Sequence, residues 1–373
     1  MPDHKKIAVY SILKDEERLV SRWYESAKLA DAIYVLDTGS DDTSPEMLDD
    51  LKQYDNNLYL FSATFLPFRF DQARNFLLAQ IPESFDYVLF MDLDEELEEF
   101  WYEKLQEFLA ENPNADGVNL RMIFSEDADG VPIYTYNRLM LHRPSKYTWR
   151  YPAHEILVPT CGVLEEHCDV KVYHRPDETK ARSYLDLLKL GYEEYRDDRS
   201  AYYYARELFE AKDYAQAHDV GYVAYNLQQD QLQRSESAAL IGYCLEESGD
   251  LLQAKAWFVR GCTDAPDIRE SWYHAASFCF RRGLYWASLG FVECMLEVQN
   301  KPYHSIIRYD NLYAEYPHHL KALSFEQLGL KDEAKQAIQQ AFSINSTNKA
   351  MLLDLIRIQD IPITTVSIGE KEC

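Results

Sequence analysis

The chain has 373 residues, of which 47% are hydrophobic and 27% charged, and its 38 Lys and Arg against 63 Asp and Glu leave a formal charge of −25. This is an ordinary globular composition with room for two domains. The acidic balance disfavours a surface built for a nucleic-acid backbone or an anionic membrane, while leaving a local basic pocket open.

In chain order, Met1 to Lys6 runs into the short apolar stretch Ile7 to Leu13, which is too short for a secretory core and reads as a buried strand beginning at Lys6. No apolar run is long enough to span a bilayer. Asp15 to Leu29 reads as a helix, with Leu19, Trp23 and Ala27 on one stripe. Ala32 to Leu36 is a second strand, closed by Asp37-Thr-Gly-Ser-Asp-Asp-Thr43. Ser44-Pro45 opens the next helix with a capping residue and a proline at the first position. Asn57 to Phe61 is a third strand and Asp71 to Gln80 a helix. Tyr87 to Met91 is a fourth strand, ending in Asp92-Leu-Asp-Glu-Glu96. This alternation predicts a mainly parallel sheet with helices on both faces. In such sheets ligands bind at the carboxyl ends of the strands, where both acidic clusters fall.

From about Ser183 the pattern is helical throughout. Four segments resemble one another: Tyr203 to Ala217, Ala239 to Ala254, Ala275 to Ala287 and Ala322 to Ala334. The turn residues Gly249 and Gly283 are 34 residues apart, and Gly329 follows after 46 more, so an insertion near Lys301 to Tyr316 breaks the period. Small residues before a turn and an alanine after it resemble the tetratricopeptide helix-turn-helix, whose copies stack into a solenoid. Lys349 to Gln359 would close the array. The seven cysteines, at 161, 168, 244, 262, 279, 294 and 373, are odd in number and read as free thiols of a cytoplasmic protein.

Two carboxylates one residue apart at a strand end, Asp92 and Asp94, can hold a divalent cation. By themselves they read more readily as a solvated acidic loop, since Glu95, Glu96, Glu98 and Glu99 continue the run. The order strand, Lys14-Asp-Glu-Glu17, Asp37-Thr-Gly-Ser-Asp-Asp-Thr43, Ala73-Arg-Asn75 and Asp92-Leu-Asp94 resembles the family 2 glycosyltransferases of the GT-A fold. Asp15 stands where that family usually carries Asn. Phe70-Asp-Gln-Ala-Arg-Asn75 and Met91-Asp-Leu-Asp-Glu-Glu96 are similar to the subgroup with tetratricopeptide repeats, which includes the peptide S-glycosyltransferases of bacteriocin clusters. The resemblance implies a GT-A domain over residues 1–180 and a repeat domain over residues 183–373.

The same resemblance implies the roles. Asp37 would accept a ring N–H of the nucleotide base, and Ile12 and Leu13 would offer it backbone contacts. Arg74 would face the diphosphate. Asp92 and Leu93 would lie along the donor, and Asp92 and Asp94 would hold Mn²⁺ or Mg²⁺, with His174 a third ligand. In Tyr147-Thr-Trp-Arg-Tyr-Pro-Ala-His-Glu155, Glu155 would be the base, with His154 second, and Trp149 would stack on a sugar. The expected activity is metal-dependent, inverting transfer from a nucleotide-sugar, a UDP-sugar by preference. The acceptor would be a peptide, a glycan or another macromolecule held by the repeats, and a homodimer is left open.

Other readings have less behind them. Asp37-Thr-Gly-Ser40 matches an aspartic-protease tetrapeptide, but it occurs once and in an α/β pattern. Cys161, His167, Cys168 and His174 lack zinc-knuckle spacing. There is no Walker loop and no dinucleotide fingerprint. A scaffold that binds partners through its repeats without catalysis, and a transferase acting on nucleic-acid bases, remain as alternatives.

Overall fold

The computed structural model describes residues 4–126, 130–177, 184–299, 310–346 and 348–359. The chain divides into two compact units, one reaching Glu207 and one starting at Leu208.

The first unit is built on an eight-stranded sheet. Its strands are β1 (Ile7–Leu13), β2 (Ala32–Asp37), β3 (Leu58–Ser62), β4 (Tyr87–Phe90), β5 (Glu95–Leu97), β6 (Gly117–Glu126), β7 (Pro132–His142) and β10 (Glu165–His174), while β8 (Tyr147–Arg150) and β9 (Ile156–Pro159) form a separate pair. The order across the large sheet is β3-β2-β1-β4-β7-β6-β10-β5. β3, β2, β1 and β4 run parallel, as do β6 and β10, whereas β7 and β5 run against their neighbours. The sheet is therefore mainly parallel, with its uniform part at the N-terminal side, as the strand-helix alternation predicts.

Period-two alternation sorts the side chains of β1 to the two faces. Ile7, Val9 and Leu13 face α1 (Val20–Ala27), α2 (Ser44–Lys52) and α4 (Trp101–Glu111), through Trp23, Leu48, Trp101 and Leu105. Ala8 and Tyr10 face α3 (Phe70–Leu78) and β8, through Ala73, Leu77 and Trp149. Helices α5 (Leu185–Tyr195) and α6 (Asp198–Glu210) follow. In this unit Arg69 donates to Glu194 on α5 at 2.7 Å, and Tyr151 donates to Asp197 at 2.5 Å.

The helix expected from Asp15 begins only at Val20. The backbone N–H groups of Asp15, Glu16 and Glu17 bond instead to Ser40 Oγ, Ser44 Oγ and Asp42 Oδ2, each at 2.9 Å. Asp15 itself sits at φ 55°, a conformation Asn and Asp tolerate better than most residues. The loops after β1 and β2 are thus laced together, which fixes where the two strands end.

The second unit is helical: α7 (Tyr214–Leu227), α8 (Gln231–Glu247), α9 (Leu251–Asp264), α10 (Arg269–Arg281), α11 (Tyr285–Glu297), α12 (Tyr316–Gln327), α13 (Lys331–Ile344) and α14 (Lys349–Ile358). Gly249, Gly283 and Gly329 take positive φ between α8 and α9, α10 and α11, and α12 and α13. These are the turn positions where a left-handed residue ends one helix and starts the next. Asp213, Asp230 and Asp250 cap α7, α8 and α9, each accepting the N–H of the residue three further on. Most of the expected insertion lies outside the described residues.

Candidate active site

The parallel strands deliver their C-terminal ends to one edge, with Leu13 opposite Asp37 and Asp37 opposite Ser62. Asp37 Oδ1 accepts from Ser40 N at 2.9 Å and Ser40 Oγ at 2.7 Å, which fixes the carboxylate in its own turn. Among the described residues, no partner binds its other oxygen. Thr38 donates from both N and Oγ1 to Leu13 O, so that carbonyl is already engaged. Ile12 is half-buried beside it.

The Ala-Arg-Asn segment on α3 docks the helix against β8. Asn75 Nδ2 donates to Trp149 O, and Asn75 Oδ1 accepts Trp149 N–H, both at 2.9 Å. Arg74, only 3% exposed, donates from Nε to Glu155 Oε1 and from Nη2 to Asp92 Oδ1, both at 2.7 Å. Its guanidinium lies 4.3 Å from the Phe90 ring centre and 4.9 Å from that of Trp149, and its Nη1 is buried without a partner. Burial alone would favour the neutral form, but Asp92 and Glu155 outweigh it and hold the arginine charged. Arg74, expected against a diphosphate, here joins the candidate base to the candidate metal loop.

Tyr151 and His154 both adopt positive φ in the turn between β8 and β9. The backbone so turned aims Glu155 at Arg74 and His154 the other way. The His154 ring stacks on Tyr203 of α6 with centroids 4.3 Å apart, and its carbonyl accepts from Arg199 at 2.9 Å. Burial against these rings, reinforced by Arg206 and Arg199, pushes its pKa down. Trp149 is 5% exposed. Its Nε1 donates to the Tyr10 hydroxyl at 2.9 Å, which in turn reaches His142 Nε2 at 2.9 Å. Arg74 and Phe90 both pack against the indole, and with so little of it exposed it walls the site from within and offers no open ring to a sugar.

At the end of β4, Asp92 and Asp94 lie with Glu95 in a cluster whose ligand atoms are within 4.8 Å of one another. Asp92 and Asp94 keep about a third of their side chains exposed (30% and 31%), while Glu95 keeps 3%. His174 Nε2 is 3.5 Å from Asp94 Oδ2, and its ring stacks on Phe124 at 4.4 Å. Burial works to lower the His174 pKa, but Asp94 and Glu95 outweigh it, and the net shift is upward. Hard carboxylate oxygens suit Mg²⁺ or Mn²⁺, so the donor set fits such an ion.

The sequence does not single out Glu95 or Arg138, yet both shape this loop. Glu95 Oε2 accepts the Asp92 N–H at 3.0 Å, and Oε1 accepts from Arg138 at 2.5 Å. Burial, with Asp92 and Asp94 nearby, pushes the Glu95 pKa up to about 7. Arg138 lies 4.8 Å from the Phe90 ring, so Phe90 carries a guanidinium from each of two elements. No sequence signal marks this role: it emerges only when Glu95 pairs with His174 across β5 and β10 and turns inward, while Glu96 is half-exposed. Cys161, His167, Cys168 and His174 form no ligand cluster among the described residues.

Residues 12–184 match the family described as Glycosyl transferase family 2, and residues 317–348 match the Tetratricopeptide repeat. No curated protein matches the chain. Among solved structures, it is similar to residues 41 to the end of MamA from Desulfovibrio magneticus RS-1, at 12% identity over 44% of this chain and 84% of that one, with a TM-score of 0.35. Yeast Tom70 aligns at 13% identity over 49% and 37% of the two chains, with a TM-score of 0.40. YrrB, a tetratricopeptide protein with an unusual peptide-binding site, aligns at 12% identity over 46% and 81%, with a TM-score of 0.35. The chain therefore carries a family 2 glycosyl transferase domain over residues 12–184 and a tetratricopeptide repeat over residues 317–348.

Proposed function

We propose that the protein transfers a sugar from a nucleotide-sugar, a UDP-hexose by preference, to a macromolecular acceptor with inversion at the anomeric carbon. The observation that carries this reading is the meeting of Asp92 and Glu155 on one buried arginine at the end of β4, within the family 2 region. Asp37 would take the base through its unengaged oxygen, with the backbone at Ile12 and Leu13 alongside and Leu93 beneath the donor. Glu155 would accept the acceptor's proton as its oxygen or sulfur bonds to the anomeric carbon and the bond to the diphosphate oxygen breaks. His154 is the second candidate base, but its ring is turned toward α6. Asp92 and Asp94, with His174 behind Asp94, would hold Mn²⁺ or Mg²⁺. The ion would supply charge stabilisation for the departing diphosphate.

In this reading residues 1–180 carry the transfer. Residues 183–373 present a peptide, a glycan or another macromolecule, or pair with a second copy, and repeat surfaces suit such extended ligands. The free thiols support a reducing, cytoplasmic setting. The test is thermal unfolding of the full chain with UDP, GDP or CMP, with and without Mn²⁺, repeated in Asp94→Ala. A Mn²⁺-dependent rise in midpoint with one nucleotide, lost in the variant, is the expected result. A wild-type chain that shifts with none of them overturns the reading and favours a scaffold.

A further inference from the structure

We propose that Arg74 is a positioning residue that holds Glu155 and Asp92 in one rigid frame and does not serve as a donor-phosphate ligand. This rests on the transferase reading above. A guanidinium offers donors in a fixed planar fork, so two carboxylates bonded to Nε and Nη2 are set at a fixed spacing and orientation. Here the fork is itself immobilised. It is flanked by Phe90 and Trp149, and the next residue, Asn75, pairs with the backbone of Trp149 on both sides of the peptide. Helix α3 thereby fixes three things together: the guanidinium, strand β8, and the turn after β8 that carries Glu155.

Burial supports the same assignment. Arg74 is 3% exposed and the Glu155 side chain 11%, whereas Asp92 is 30% exposed. The arginine lies beneath the two carboxylates, and the open side of the pair is Asp92. Asp92 is thus the member of the trio most open to solvent, while the one arginine donor left without a partner, Nη1, is buried. Only one oxygen of Glu155 is held, and among the described residues none binds Oε2, so a proton can be taken there while Oε1 stays anchored.

The frame makes three measurements hang together. Lysine keeps the charge of Arg74 but cannot bond to both carboxylates in plane. In the full chain, Arg74→Lys is expected to lower kcat for Mn²⁺-dependent hydrolysis of a UDP-sugar about 100-fold, the scale of a misplaced catalytic group. KM for the donor, and the dissociation constant of UDP measured calorimetrically with Mn²⁺, should rise by less than about tenfold, because the Glu95 bond to the Asp92 N–H still sets the loop. Glu155→Gln removes the anchored base but leaves Asp92 on the arginine, so the double variant Arg74→Lys/Glu155→Gln should lose less than the product of the two single losses.

Urea unfolding of the same variants reads the frame without any activity. The two single substitutions should destabilise, and the double variant should lose less than their sum. A UDP affinity that falls tenfold or more in Arg74→Lys with kcat preserved makes the arginine a phosphate ligand and overturns the proposal. Multiplicative losses in the double variant, or additive losses in urea, also overturn it. A wild-type chain that binds UDP but has kcat unmoved by Arg74→Lys refutes the positioning role alone. A wild-type chain that binds none of UDP, GDP and CMP removes the transferase reading, and the positioning role with it.

Discussion

His142 is fully buried in the middle of the sheet, and its surroundings specify a neutral imidazole. Trp149 Nε1 donates to the Tyr10 oxygen, the Tyr10 hydroxyl donates to His142 Nε2, and His142 Nδ1 is 3.2 Å from the Arg143 carbonyl, to which it donates. A second ring proton would point at the Tyr10 hydroxyl, whose own hydrogen has no other place in this chain of bonds. Burial pushes the His142 pKa down to about 4, against about 6.5 in the unfolded chain. Between those values the unfolded chain takes up a proton that the folded chain refuses, so stability falls as pH falls. Integrated from neutral pH, the loss is about 2 kcal/mol at pH 5 and about 3 kcal/mol at pH 4.

Glu95 works the opposite way. Its carboxyl is pushed up to about 7, so the folded chain holds that proton longer than the unfolded chain, and stability falls as pH rises from about 4.5 to 7. The two slopes overlap in the wild type, and the informative quantity is a difference. His142→Gln keeps an acceptor toward Tyr10 and a donor toward Arg143 but cannot titrate. Urea unfolding of wild type and variant, followed by tryptophan fluorescence from pH 8 to pH 4.5, should give a stability difference that moves toward the variant by about 2 kcal/mol on reaching pH 5. A difference that stays flat across this range, or a His142 NMR titration centred near 6.5, would refute the argument.

Three further outcomes follow from described contacts. Glu95→Gln disturbs the bonds that orient Asp92 and is expected to weaken Mn²⁺ binding 10- to 100-fold by calorimetry; an unchanged affinity would show that Glu95 does not shape the loop. Gly242→Ala on α8 would place a methyl carbon 2.9 Å from the Phe258 ring of α9, and should cost about 1–3 kcal/mol in urea unfolding of the helical unit. A neutral Gly242→Ala would mean that the two helices separate freely. Glu246, 4% exposed, accepts from Arg281 and Arg282 through four bonds. Because both arginines are partly exposed and regain water when released, Glu246→Ala should cost only about 1–2 kcal/mol by the same assay, and a loss above 4 kcal/mol would contradict that screening.

Much of the first unit is legible from local pattern. β1, β2, β3 and β4 fall where short apolar runs end in turn residues, because a parallel strand buried on both faces needs such a run. The repeats are legible because each turn needs its own left-handed residue, and glycine marks three of them. The start of α1 is not legible: Asp15, Glu16 and Glu17 look like a first helical turn, but their N–H groups are claimed by Ser40, Ser44 and Asp42 from a distant loop. Trp149 illustrates the same limit. An indole beside a titratable pair looks like a sugar platform, and only the long-range bond to Tyr10 shows it facing inward. Arg74 is legible as a functional arginine, but not by its partners, since Asp92 and Glu155 lie 18 and 81 residues away. Glu95 is hidden among like-charged neighbours until strand pairing separates inward from outward residues.

The strand order has a bearing on how the molecule is made. Glu95 to Leu97, directly after the acidic pair, bonds to the sheet through Val172 to His174 and through no earlier strand. During synthesis from the N-terminus, the four parallel strands can assemble once β4 has emerged, but the loop at Asp92 stays without its closing partner until residue 174 has left the ribosome. The helical half has no such wait, since three of its helices carry their own caps and each contacts mainly its neighbours. A translational pause placed before residue 174 would therefore leave the aspartates on an open edge, available to stray pairing, whereas a pause among the repeats would leave behind finished turns of helix.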